Sequence, residues 1–211
     1  MVQERSLAPN QLVIMQLLAS LHDPALGFDR AEQIVSSDVA LSYRLLRHVN
    51  SARFSLPRKV ESIRETLVYL GLQTVKGMAL LFLLSAIENQ PQDLIHIAML
   101  RAKMCQLLAK ARAADDIHSF FTVGLLSTLD ALMNAPMAEL LADLPLADEL
   151  RSALLDLEGD LGAVLAATLA YERGEWDGVG QAGLGADKVR EAFLEAVSWA
   201  RDMEKDLATA K

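Results

Sequence analysis

Cysteine is all but missing from this chain: Cys105 stands alone among 211 residues, so no internal disulfide can form. Its place in an apolar helical pattern makes it an inert core thiol and fits a reducing compartment. Aromatics are scarce as well, at 5% of residues. No stretch alternates apolar and polar residues as a half-buried strand does, so strands are not expected. The longest apolar run, GMALLFLLSAI at residues 77–87, falls well short of the roughly 20 residues needed to span a bilayer. It reads instead as a helix buried on all sides. The N-terminus lacks the charged head and apolar run of a secretory signal. A basic surplus is missing too: 20 Lys and Arg stand against 28 Asp and Glu, a formal charge of −8. That balance argues against a general nucleic-acid partner. There is no Gly-rich phosphate loop, zinc spacing or nucleophile elbow. The absences point to a cytoplasmic domain with no membrane partner and no implied cofactor.

What is present favours helix. Apolar residues make up 52% of the chain, with Leu and Ala prominent. A first helix is expected from about Asn10 to His22, ended by Asp23-Pro24. The dipeptide His22-Asp23 there is a helix end and a turn, not a metal pair. Asp38 opens a helix on which Leu41, Leu45, Leu46, Val49 and Ala52 share one arc. Arg44, Arg47, His48 and Ser51 take the opposite, solvent-facing side. Asn50 falls among the apolar positions, where an unpaired carboxamide costs about 1–3 kcal/mol. It is expected to tie the helix end to the turn at residues 53–59. Ser62 to Glu65 form a capping box. The helix they open ends at Gly71, a residue that takes the left-handed cap conformation cheaply. A long helix is expected after the break at residues 89–91, and Asp115-Asp116 caps another that runs from Ile117 to about Met133. The cluster of Asp115, Asp116 and His118 is a helix start before it is a metal site. His96 reads as a hydrogen-bonded core histidine. A glycine-rich exposed loop is expected at residues 179–187.

The segment SDVALSYRLLRHVNSARFSLPRKVESIRETLVYLGLQTV, residues 37–75, resembles the core signature of the HDOD family, the HD-related output domains of bacterial signalling proteins. LAPNQLVIMQLLASL, LRAKMCQLLAKA, FFTVGLLSTLDALMNAPMAELLADLPL and LAYERGEW follow in family order. The likeness is greatest to the C-terminal half of proteins that join an EAL domain to an HDOD domain. It implies an all-α, compact multi-helix bundle of degenerate HD-superfamily type. Residues 1–9 then read as a linker remnant and residues 10–208 as the HDOD domain.

HD phosphohydrolases hold their metal with a His, a His-Asp pair and a later Asp, because neutral imidazole and carboxylate must converge on the cation. The pair follows an apolar run ending Gly-Leu-Leu. Here that run is Gly124-Leu125-Leu126, and Ser127-Thr128 follows it. The earlier His, about 26 residues upstream, is replaced by Arg101. On this ground the chain is expected not to be an enzyme. The alternative is a degenerate HD-type metal phosphohydrolase or a nucleotide-binding domain.

Charge is unevenly spread. Within residues 44–76, Arg44, Arg47, Arg53, Arg58, Lys59, Arg64 and Lys76 face only Glu61 and Glu65. Within residues 139–160 acids dominate and Arg151 is the sole base. Arg44, Arg47, Asn50, Ser51, Arg53, Arg58 and Lys59 are therefore candidates for binding a protein partner. The bland reading is a solvated face, or arginines paired within the chain. The resemblance implies a signalling output domain, in cyclic-di-GMP-related pathways, whose partner is an EAL domain or a diguanylate cyclase. The sequence sets no oligomeric state.

Overall fold

Helix accounts for most of the described residues, and no strand occurs among them. The computed structural model describes residues 9–23, 25–51, 58–87, 91–142 and 144–208. The expected linker at residues 1–9 and candidate Arg53 thus lie almost wholly or wholly outside the described residues. The chain divides into two units, one built from residues 1–88 and 206–211, the other from residues 89–205. No described helix is long and apolar enough to cross a membrane.

In the first unit, α1 (Pro9–His22), α2 (Phe28–Ser37), α3 (Val39–Val49) and α4 (Ile63–Leu70) all pack on α5 (Leu72–Leu84). Helix α5 is the centre because residues 79–84 are buried without interruption. Asp38 caps α3 by accepting from the Leu41 amide at 2.9 Å. Gly71 both ends α4 and starts α5, at φ 79 and ψ 157. That ψ lies beyond the left-handed helical well expected from the sequence, in a region essentially reserved for glycine. One residue therefore turns the chain between two helices.

The second unit is organised on α6 (Gln92–Ala111), against which α7 (Ile117–Leu126) and α11 (Gly159–Arg173) pack. Helices α8 (Leu129–Met133), α9 (Met137–Ala142) and α10 (Asp148–Asp156) lie between α7 and α11 in sequence, and α12 (Trp176–Val179) and α13 (Ala186–Ala208) follow. Helix α13 is anchored by Phe193 on Tyr171 and by Trp199 edge-on to Phe121. Helix α7 meets α6 backbone to backbone. A Cβ on Gly124 would fall 2.5 Å from the Arg101 carbonyl oxygen, so only glycine allows the approach.

Two sequence expectations change here. The single helix from Ile117 to Met133 breaks at Ser127 and Thr128. Their hydroxyls donate to the carbonyls of Gly124 (2.7 Å) and Leu125 (3.2 Å), competing with the helical ladder for its last acceptors. The glycine-rich segment is not a plain exposed loop either, since Gly180–Ala182 forms a short 3-10 helix and Val179 and Ala182 are buried.

Candidate functional site

The candidate residues fall into two groups, one in each unit. On α3 and the approach to α4, Asn50 is the organising side chain. Its Nδ2 donates to the Val60 carbonyl (2.8 Å) and the Leu46 carbonyl (2.7 Å), while its Oδ1 accepts from the Val60 amide at 2.8 Å. The carboxamide thus pairs with Val60 as a backbone would, one residue beyond the turn named from the sequence. It fixes where α4 begins. Ser62 then accepts from the Glu65 amide at 3.1 Å, and Glu65 reaches back to the Glu61 amide at 2.9 Å. That backbone bond holds the Glu65 carboxyl below its usual range. Arg58 pairs with Glu65 at 3.2 Å, and the carboxylate, together with Tyr69, raises the guanidinium pKa further. Arg64 reaches across to Asp29 (2.6 Å) and Glu32 (2.8 Å) on α2.

The basic stripe expected on α3 is not a free surface. Arg44 is half-buried and donates to the Phe82 carbonyl (3.2 Å) and Ser85 Oγ (3.3 Å), where α5 ends and leaves carbonyls without helical donors. His48, expected to face solvent, is 3% exposed and sets its ring edge-on to Phe82 at 5.9 Å. Both corrections have one cause: α5 packs beneath α3 and widens its buried face past the apolar arc. Arg47 and Ser51 are half-buried, and Arg58 and Lys59 are exposed. Ser51 Oγ is buried and bonds to none of the described residues.

In the second group Arg101 and Ser127 come together, and Thr128 does not join them. Arg101 on α6 makes a two-pronged pair with Glu172 on α11, Nε to Oε2 at 2.8 Å and Nη2 to Oε1 at 2.9 Å. A third donor, Nη1, reaches Ser127 Oγ at 3.3 Å. Thr128 is buried and turned to its own helix. A guanidinium therefore stands among α6, α7 and α11, its own positive charge matched by one carboxylate. Glu172 was missed in the sequence because it lies 71 residues from Arg101, although LAYERGEW contains it. No group of three or more His, Cys, Asp or Glu side chains placed to hold a metal occurs among the described residues.

The remaining candidates resolve as structure. Asp116 accepts from the His118 and Ser119 amides and from Ser119 Oγ. Burial pushes its carboxyl up, but these hydrogen bonds prevail and hold it below its usual range. Cys105 is buried against Thr168 (3.3 Å), and burial pushes its thiol up to about 12, far from a nucleophile. His96 is one-third exposed rather than in the core, and pairs with Glu204 at 2.9 Å.

Comparison with known proteins now bears on this arrangement. The HDOD domain family matches residues 7–171. This chain belongs to the HDOD family. A Vibrio cholerae protein, cyclic di-GMP phosphodiesterase CdgJ, is 33% identical over 97% of the HDOD chain and 49% of its own length. YuxH of Bacillus subtilis is 28% identical over 89% of the chain and 47% of its own length. The chain thus spans about half the length of these curated relatives. An HDOD domain protein from Geobacter sulfurreducens shares the fold, with TM-score 0.63, 14% identity and 93% of this chain and 92% of that one covered. A Shewanella amazonensis structure, provisionally called a phosphohydrolase, matches at TM-score 0.66 and 19% identity over 96% and 94%.

The expectation that the chain is not an enzyme is overturned by the Vibrio relative, whose name is that of a phosphodiesterase. The error lay in the reach of the sequence evidence. Arg101, Ser127 and Thr128 speak only to one metal-binding arrangement, and their identity is silent on any other route to hydrolysis.

Proposed function

We propose that this HDOD domain acts in the turnover of cyclic di-GMP, regulating an enzyme that makes or hydrolyses that nucleotide by docking residues 44–76 on it as a protein partner. An EAL domain or a diguanylate cyclase fits the part. The observation that carries this reading is the 33% identity to the Vibrio phosphodiesterase along 97% of the chain. The geometry supports a docking role for the exposed pair Arg58 and Lys59. Asn50, the capping box and the Arg64 bridge tie α2, α3 and α4 together, so these cations project from a braced backbone.

The test is to measure cyclic di-GMP in cells expressing the chain or Arg58→Glu/Lys59→Glu, with thermal denaturation of both. The wild type is expected to shift the nucleotide level and the equally stable variant to leave it unchanged. Equal shifts, or no shift by the wild type, would reject the docking reading. The same relative favours a second possibility, that residues of this chain take part in the hydrolysis itself. Hydrolysis of cyclic di-GMP by the purified chain, lost in Arg101→Ala, would establish it.

A further inference from the structure

Large apolar side chains are exposed on α2, α3 and α4. Val39 is 82% exposed and Val68 72%, and Phe28, Tyr43 and Tyr69 are exposed with them. Scattered singly, such residues need no explanation. Five on three helices that pack on one another do, because each exposed group forgoes the favourable transfer out of water. Beside them stand the cations. Lys59 is exposed, and Arg58 sits between Glu65 and Tyr69. Arg64 contributes little, since Asp29 and Glu32 share its charge.

The second unit carries a ridge of the opposite kind at the end of α10. Leu155 and Leu157 are exposed there beside exposed Asp156 and Glu158, while exposed Asp148 and Glu149 stand at the other end of the helix. The one base in this segment, Arg151, turns inward and donates to the carbonyls of Leu141 and Leu144, while Arg112 pairs with Asp160 just beyond it. The corner is also fixed in place. Leu157 ends α10 in the left-handed conformation at φ 57, and Gly162 lies so close that a Cβ would meet the Leu157 carbonyl carbon at 2.2 Å.

We infer that the two surfaces are made for each other, and that a second copy of this chain docks its residues 148–158 on the α2–α4 face. Apolar meets apolar, and Arg58 and Lys59 meet Asp156 and Glu158 at the rim. The contact is between unlike patches, so each copy has one of each to offer. The inference rests on reading residues 44–76 as a docking surface, and adds that self-association competes there with the regulated partner.

Sedimentation velocity of the full chain over a concentration series tests it. The expected result is a weight-average mass that rises above 23.1 kDa with concentration and falls back in high salt. Arg58→Glu/Lys59→Glu and Asp156→Lys/Glu158→Lys should each abolish the rise. An equimolar mixture of the two variants should restore it, because each then offers what the other lacks. A single 23.1 kDa species at every concentration would overturn the inference, as would association that both variants retain or a mixture that stays monomeric. The two readings separate cleanly. A monomeric chain whose Arg58→Glu/Lys59→Glu variant still loses its effect on cyclic di-GMP rejects the second copy and keeps the docking partner. Association without any effect on cyclic di-GMP does the reverse.

Discussion

Arg58 in the first unit and Arg101 in the second each pair with one glutamate, yet their settings differ. The Arg58 side chain is 62% exposed and its partner Glu65 31%, whereas Arg101 is 17% exposed and Glu172 28%. Water screens the first pair and competes for both its ends, so it adds little to stability and leaves the cation available to a partner. The second pair is bidentate, is shared with Ser127 and joins helices distant in sequence. There, removing one partner leaves the other charge poorly solvated. Identical residue types thus make an exposed pair in one place and a clasp in the other.

The largest effect should come from the clasp's own foundation. Gly124→Ala puts a methyl against the α6 backbone and is expected to cost about 2–3 kcal/mol in urea denaturation. An unchanged midpoint would mean that α6 and α7 separate freely. Next, Arg101→Ala should cost about 2 kcal/mol, discounted from the fully buried case because both side chains retain some exposure. A double-mutant cycle with Glu172→Gln should show coupling; additive losses would reduce the clasp to a surface pair. In the first unit, Asn50→Ala should cost about 1–2 kcal/mol by leaving both polar groups of Val60 without their partner. Asn50→Asp should recover part of the loss, since its carboxylate still accepts from the Val60 amide but cannot donate to the carbonyl. Arg58→Ala should leave the midpoint where it was, and a measurable loss would erase the contrast with Arg101.

How much of this could be read in advance follows from the distance over which each feature acts. The capping box at Ser62 and Glu65, the Asp116 cap and the inert Cys105 depend on neighbours within a turn or on simple burial, and all were legible. Asn50 was recognised as a tie because an amide among apolar positions must bond somewhere nearby. Arg44 and His48 were misplaced. A helical wheel assigns faces from one helix alone, and it takes α5 to show that α3 is covered on a wider arc. The break at Ser127 was hidden for a related reason: hydroxyls near a helix end compete for carbonyls only where packing stops the helix from continuing.

The order of residues by itself set the all-α class, the caps and the uneven distribution of charge, because helix propensity, capping and charge act within a few residues. Only the tertiary structure brought Glu172 to Arg101, turned Arg151 inward and left Tyr43 and Val68 outside. Those outcomes depend on which helices touch, and a contact between residues 71 apart leaves no periodic trace in the chain that makes it.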